Sequence, residues 1–175
     1  MTTYFTADTH FCHSNILKFC QRGFVAIDDM NEGLIEKWNL RVGDDDDVFV
    51  LGDFSFRAKK GTIAPIFRRL KGKKHLIIGN HDNPEVIGLP WNSTPVIYRE
   101  LRLDAADLIL SHYPMRSWNR MYHGSVHLFG HTHGHVVDYQ NACDVGVDNW
   151  NYEPVTLDEI KLKMQGAAQN PDFRH

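Results

Sequence analysis

The sequence has few cysteines, no long apolar run and no excess of positive charge. Its three cysteines, Cys12, Cys20 and Cys143, are too few and odd in number for a disulfide framework, which favours a cytoplasmic protein with reduced thiols. No apolar run approaches the roughly 20 residues of a membrane span, and the N-terminus lacks the basic-then-apolar pattern of a signal peptide. The net charge of −3 disfavours a protein that coats nucleic acid or an anionic membrane by bulk charge.

The size and composition predict one globular domain over residues 1–175. A chain of 175 residues with 42% hydrophobic and 23% charged residues can bury a core of its own but is short for two domains. We find no repeat, low-complexity segment or linker. The segment 166–175 is predicted to be a frayed tail, and the protein is expected to be a monomer or a homodimer.

Strand-like and helix-like segments alternate along the chain. Apolar runs predict strands at 3–7, 48–51, 75–78, 96–103, 108–110, 126–129, 136–139 and 142–147. Helical spacing predicts helices near residue 16, at about 28–40, at 62–70 and from the capping box at 156–159 to about 164. This alternation indicates an α/β protein.

Polar side chains follow five of the apolar runs directly. They are Asp8 and His10, Asp53, Asn80 and His81, His112, and His131 and His133. In α/β sheets, ligands gather beyond the carboxyl ends of the strands, so five such endings indicate one shared site.

The last of these endings is a histidine-rich stretch with small residues between the histidines. Side chains at i and i+2 of an extended segment point the same way, so His131 and His133 can converge on one metal ion. The alternative is a polar loop with solvated histidines. His135 is expected to be a neighbour of the site or solvated, and His75, His127 and His175 are expected to be structural or solvated.

Five motifs at these strand ends resemble, in the same order, those of the calcineurin-like metallophosphoesterase superfamily. They are Asp8-Thr9-His10, Gly52-Asp53, Gly79-Asn80-His81-Asp82, Ser111-His112-Tyr113-Pro114 and Gly130-His131-Thr132-His133. The longer opening at 8–16 is similar to a small bacterial and phage subgroup, many of whose members carry Gly where this chain has Cys12. The resemblance implies a four-layer αββα sandwich of two mixed β-sheets flanked by helices, with the metal site at the carboxyl ends of the strands.

The resemblance also implies two divalent transition-metal ions, bridged by Asp53. The first would be held by Asp8, His10, Asp53 and His133, and the second by Asp53, Asn80, His112 and His131. Oxygen and nitrogen donors without a thiolate suit several metals. We expect Mn²⁺, although the ligand types alone do not distinguish it from Fe, Ni²⁺, Zn²⁺ or Co²⁺.

The expected activity is hydrolysis of phosphodiesters, and of monoesters as an alternative, by a hydroxide that bridges the metals. His81 neighbours a ligand without being one, so it is placed to protonate the leaving oxygen as general acid. Asp82 is expected to orient the His81 ring or, alternatively, to cap the next turn. His13 and Asn15 are expected to contact the substrate phosphate or their own loop.

The loop at 115–125 carries Arg116, Trp118, Arg120 and Tyr122 between two ligand-bearing segments. We expect these residues to shape the substrate entrance, with an ordinary surface loop as the alternative.

Two other functions stay open from the sequence. The same site would serve a nuclease or a nucleotide or diphosphate hydrolase, with the basic 59–74 region guiding the substrate. A non-catalytic scaffold is a remote alternative, because this chain has kept every predicted ligand. The expected partner is a small phosphoester or nucleotide-like substrate; nucleic acid is possible but not indicated by the net charge, and no membrane is expected.

Overall fold

The structure, a computed structural model, describes residues 1–172. In chain order its elements are β1 (Thr3–Thr6), α1 (Ile16–Phe19), α2 (Ile27–Arg41), β2 (Asp47–Val50), α3 (Ile63–Arg69), β3 (Lys73–Leu76), α4 (Pro84–Ile87), β4 (Tyr98–Leu103), β5 (Ala106–Ser111), β6 (Val126–Phe129), β7 (Ala142–Asp144), β8 (Val155–Thr156) and α5 (Leu157–Gln165). Two 3₁₀ turns lie at Met121–His123 and Val147–Asn149.

The strands form two mixed sheets. The first has the order β3-β2-β1-β8, with β8 antiparallel to β1 and the other pairs parallel. The second has the order β4-β5-β6-β7, with β4 antiparallel to β5 and the other pairs parallel. Because β1, β2, β3, β5 and β6 each precede a predicted ligand, their carboxyl ends position the candidate site.

The two sheets pack face to face through alternate side chains. Phe5 and Phe49 of the first sheet share one buried cluster with Leu110 and Leu128 of the second. The next residues along β1 and β2, Thr6 and Val50, are register partners that point to the opposite face. This period of two gives each central strand one face toward the other sheet and one toward the outer layer.

Helices cover the outer face of the first sheet. Leu34 and Trp38 of α2 pack in one buried cluster with Val48 and Val50 of β2. The helical spacing predicted α2 and α3 within a residue or two of their observed ends. Two mixed sheets flanked by helices confirm the fold class that the resemblance implies.

The second sheet is covered differently. Its outward side chain His127 contacts the ring of Trp118 in the 115–125 segment, with the ring centroids 5.1 Å apart. The helix α5 lies along the edge of the sandwich, where Leu157 and Ile160 join the core between the sheets.

One sequence-based prediction of local structure is wrong. The segment 136–139 is not a strand; Val137 is exposed, and Tyr139 makes two isolated bridges, to Ala142 and to Ala168. In the segment predicted to be a frayed tail, the Ala168 carbonyl accepts the Gln140 N–H at 3.0 Å and Asp172 pairs with Arg116. The rest of the predicted tail, 173–175 with His175, lies outside the described residues. Within residues 1–172 no helix is long and apolar enough to cross a membrane.

Candidate metal centre

The predicted ligands meet at one edge of the sandwich and form two groups. One ligand atom from each of Asp8, His10 and His133 lies within 4.8 Å of the others. A second group with the same spacing comprises Asp53, His112 and His131. The i, i+2 pair His131 and His133 thus reaches one location but divides between the two groups.

Asp53 lies between the groups. Its Oδ2 is 3.6 Å from His10 Nε2 and 3.5 Å from His112 Nε2. Asn80 adds an amide oxygen to the second group, since its Oδ1 lies 3.0 Å from His112 Nε2. The Asp53 carboxylate thus lies within 3.6 Å of a histidine nitrogen from each group.

The backbone at these residues is strained. Five of the predicted ligands have φ between 49° and 70°: Asp8, His10, Asp53, His131 and His133. Non-glycine residues rarely adopt this left-handed region, and such outliers cluster at functional sites. The strained backbone directs these side chains into the candidate site, and the packing of the fold must offset the free energy that the strain costs.

Two motif glycines allow the loops to approach one another. A Cβ on Gly79 would collide with the Asp53 carboxylate, and a Cβ on Gly130 would lie 2.6 Å from Asp8 Oδ2. The His131 N–H, which follows Gly130, donates to the same Asp8 oxygen at 2.8 Å. Glycine at these positions is therefore required by the closeness of the ligand loops.

The donor atoms of the first group fit a cation. Asp8 Oδ1 and both ring nitrogens of His10 are buried and have no hydrogen-bond partner among the described residues. Burial raises the pKa of Asp8 to about 7 and lowers that of His10 to about 3. A divalent cation would stabilise ionised Asp8, and neutral His10 is the form that binds metals.

Hydrogen bonds fix which nitrogen each of two histidines offers. His112 Nδ1 is 2.8 Å from the Leu51 carbonyl, and His133 Nδ1 is 2.7 Å from Asp148 Oδ2. Both acceptors take an N–H, so Nε2 is the nitrogen that each ring would offer to a metal. Burial opposes protonation of His133, but the hydrogen bond to Asp148 outweighs burial and raises the pKa of His133 to about 10. Metal binding at His133 would therefore release a proton.

Arg22 forms a two-pronged ion pair with Asp148. Its Nε and Nη2 donate to the two Asp148 oxygens at 2.7 and 2.8 Å. The same guanidinium donates to the carbonyls of Thr9 and Asp8 at 2.9 and 2.7 Å. Arg22 therefore ties the first ligand loop to the carboxylate that orients His133.

Asp82 binds backbone groups of two ligand loops. Its two carboxylate oxygens accept the backbone N–H groups of Asp53, Phe54 and Gly79 at 2.8 to 3.0 Å. These bonds are nearer to the turn-capping alternative predicted for Asp82 than to orienting the His81 ring. The backbone N–H of His81 donates to Asp53 Oδ1 at 2.8 Å, and the His81 side chain is about one-third exposed.

A cavity of about 360 Å³ opens over the two groups. It is lined by His10, His13, Asn15, Ile16, Phe19, Cys20, Asp53, Phe56, His81, His131, His133 and His135. His13 and Asn15 are thus at the site, as predicted for substrate contacts, and His135 lies at its rim. The His13 Nδ1 is buried and has no hydrogen-bond partner among the described residues, so it is available to a ligand.

The predicted entrance loop lies elsewhere. Arg116 pairs with Asp172 at 2.9 Å, and the Trp118 indole N–H donates to the Ser125 carbonyl at 3.2 Å. Arg120 is likewise paired, with Asp107 at 3.0 Å. The structure corrects the prediction for Arg116 and Trp118, because the packing of Trp118 on His127 draws this loop onto the outer face of the second sheet.

Sequence reasoning missed Arg22, Asp148, Phe19 and Phe56. Arg22 and Asp148 are separated by 126 positions, and neither belongs to a motif. Only their surroundings in the fold identify them. From the sequence alone, Phe19 and Phe56 are expected to be core residues. Their spacing does not distinguish a residue that lines a cavity from one that packs in the core.

Comparisons with known proteins agree with this arrangement. A model of the calcineurin-like phosphoesterase family matches residues 1–105. The chain is 33% identical to an uncharacterized protein of Methanocaldococcus jannaschii over 94% of its own length and 93% of that protein. It is 29% identical to the gene 66 protein of Mycobacterium phage L5, covering 90% of this chain and 91% of the other.

Two solved structures share the fold. A protein of unknown function from Aquifex aeolicus superposes with a TM-score of 0.71 at 22% identity, covering 92% of this chain and 98% of that one. A structure described as a novel archaeal phosphodiesterase has a TM-score of 0.51 at 17% identity and covers 83% and 82%. The family model spans more than half of the sequence and includes three of the five motifs. The chain therefore belongs to the calcineurin-like phosphoesterase family.

Proposed function

We propose that the protein hydrolyses phosphodiester bonds at a centre for two divalent metal ions. The main observation in support is that the predicted ligands form two groups. The Asp53 carboxylate lies within 3.6 Å of a histidine nitrogen from each group. The first ion would bind Asp8, His10, Asp53 and His133, and the second Asp53, Asn80, His112 and His131. When bound, the two ions supply Lewis-acid activation of water and of the phosphate.

The donor set limits the metal. Two carboxylates, four histidines and an amide oxygen suit Mn²⁺, Fe, Ni²⁺, Zn²⁺ or Co²⁺, and Mn²⁺ is the ion we propose. Burial raises the pKa of Asp53, but the hydrogen bond and charge of His112 outweigh burial and lower this pKa to about 2. Asp53 is therefore ionised at neutral pH and available to both ions.

His81 is the proposed general acid. Its Nε2 is 3.9 Å from Asp53 Oδ2, at the edge of the ligand groups, and its ring faces the cavity. During hydrolysis the water oxygen bonds to phosphorus and the water gives up a proton to solvent, while the bond to the leaving oxygen breaks. His81 gives that oxygen its proton and is then reprotonated from solvent. A diester leaves as an unactivated alkoxide, which gains most from a placed acid.

His13 and Asn15 are proposed to bind the phosphate. Both line the cavity on the side of α1, and the unpartnered His13 Nδ1 is suited to a phosphate oxygen. Asp82 contributes by fixing the backbone of the two loops that carry Asp53 and Asn80.

The nuclease alternative receives less support from the basic region. Lys74 is buried and donates to the Leu70 and Gly72 carbonyls, and Arg69 pairs with Glu32. These cations are engaged within the fold, which leaves fewer of them for a nucleic acid backbone.

The function is tested by His81→Ala on two classes of diester. The variant should keep two metal ions per chain by elemental analysis, because Asn80 and not His81 is the proposed ligand. Its rate on diesters with alkoxide leaving groups should fall by ~10²–10⁴, and that on p-nitrophenyl esters by less. A loss that is the same for both classes would refute the general-acid role, and a wild type that binds no metal would refute the centre itself.

A further inference from the structure

The cavity over the ligand groups has two walls of different chemistry. One wall carries the proposed ligands, and the other is formed by Ile16, Phe19 and Phe56. The volume of about 360 Å³ is at the lower end of the roughly 300–1,000 Å³ found for ligand pockets. The site therefore suits a small ester that has a phosphate at one end and an apolar or flat group at the other.

Phe56 lies beside both the proposed general acid and the proposed phosphate contact. Its ring centroid is 4.3 Å from that of His81 and 4.4 Å from that of His13. A group that takes a proton from His81 comes within hydrogen-bond distance of a ring that already touches Phe56. The apolar wall is thus within reach of an organic group that is attached to a phosphate at the ligand groups.

Phe19 extends this wall outward. It is the last residue of α1, it is 70% exposed, and its ring stands nearly perpendicular to His13 at 6.3 Å. A ring that is mostly in solvent adds little to the core, but at the mouth of a polar cavity it offers a stacking face.

A cation completes the rim. The Arg57 guanidinium lies 5.0 Å from the centroid of the Phe56 ring, and the residue is exposed. An uncharged flat group would gain only a cation–π attraction from this guanidinium, whereas a nucleotide carries both a flat base and an anionic phosphate.

We propose that Phe19 and Phe56 form a stacking subsite for the base of a nucleotide whose phosphate lies at the ligand groups, with Arg57 at the rim beside Phe56. This inference rests on the proposed function and names its substrate class, a nucleotide-containing phosphodiester of small size. Trp118, the aromatic residue expected at the entrance from the sequence, is replaced in this role by Phe19.

The test compares AMP with ribose 5-phosphate, which lacks the base, by calorimetric titration of the Mn²⁺-loaded protein. The wild type should bind AMP about 10-fold more tightly, the size expected for one stacked base. Phe19→Ala should remove most of that ratio, and Phe19→Trp should keep it. The matched control is Leu162→Ala on α5, since Leu162 is also 70% exposed but lies outside the cavity, and it should leave the ratio unchanged.

Equal affinities for the two ligands in the wild type, or a ratio that survives Phe19→Ala, would overturn the subsite. Hydrolysis of bis-p-nitrophenyl phosphate by the wild type is measured in parallel. If the AMP preference is absent while the diester is cleaved, the subsite alone fails. If no diester is cleaved with any of the metals, the proposed function fails, whatever the binding ratio.

Discussion

Replacing Arg22 by Met should destabilise the metal-free protein strongly. The Arg22 side chain is fully buried, and its guanidinium donates to both oxygens of Asp148 and to the carbonyls of Asp8 and Thr9. Methionine has a similar length and fills the space, but it donates nothing. The Asp148 carboxylate, which is only 9% exposed, would keep protonated His133 as its partner and lose the guanidinium.

The magnitude follows from burial. Removing one partner of a buried ion pair costs about 3–5 kcal/mol, because the remaining charge stays desolvated. Two carbonyls of the first ligand loop also lose their donors, but protonated His133 still balances the Asp148 charge, so the lower part of that range applies. For a chain of this size the loss corresponds to a fall of roughly 10 °C in the thermal midpoint.

Urea denaturation in the presence of a chelator measures the effect, since bound metal would add its own stabilisation. Arg69→Met is the matched control: Arg69 also forms a two-pronged pair with a carboxylate, Glu32, but both side chains are about half exposed. That variant should unfold at the wild-type urea midpoint within error. If Arg22→Met were no less stable than Arg69→Met, the guanidinium would not hold the site together.

Three further predictions concern single side chains. Asp148→Asn should weaken metal binding by about 10- to 100-fold, because the charge that orients His133 is lost; competition with a chelator measures it, and an unchanged affinity would contradict it. His127 is buried, and burial lowers its pKa from 6.5 to about 4, so its contribution to stability is complete above pH 6.5 and is lost as the pH falls towards 4. Between pH 7 and pH 5 the wild type should lose about 2 kcal/mol more than His127→Gln in urea titrations, and equal losses would show that His127 is protonated in the fold. Cys12 has φ of 67°, so Cys12→Gly should raise the free energy of unfolding by about 1 kcal/mol; a lower urea midpoint would mean that the packing of the thiol outweighs the backbone strain.

Periodicity predicted the long elements of the fold and missed the short ones. The helix α2 has 15 residues and a clear apolar spacing, whereas β8 has two residues and no period to detect. The run at 75–78 was predicted as a strand, yet the ladder of β3 ends at Leu76 and Ile77 makes only a bridge to Val96. Apolar residues that follow the end of a strand pack in the core just as strand residues do. Hydrophobicity alone therefore does not locate the last hydrogen-bonded residue pair of a β-ladder.

The candidate ligands were predictable because each follows a strand, and strands of one sheet end at one edge. Their supports were not predictable in the same way. Asp148 comes from a 3₁₀ turn after β7, and its meeting with His133 depends on how the second sheet closes against the first. Arg116 and Trp118 were misplaced because adjacency along the chain says nothing about which face of a sheet a loop covers.

The left-handed backbone at the ligands constrains how this site can change over evolution. Asn, Asp, His and Gly tolerate that conformation, whereas β-branched residues do not. In a population selected for folding alone, with the metal no longer needed, Asp8, Asp53 and His133 would drift mainly to Asn or Gly. A descendant without the proposed activity would thus keep the outline of the loops, and a new ligand set could arise there by single substitutions.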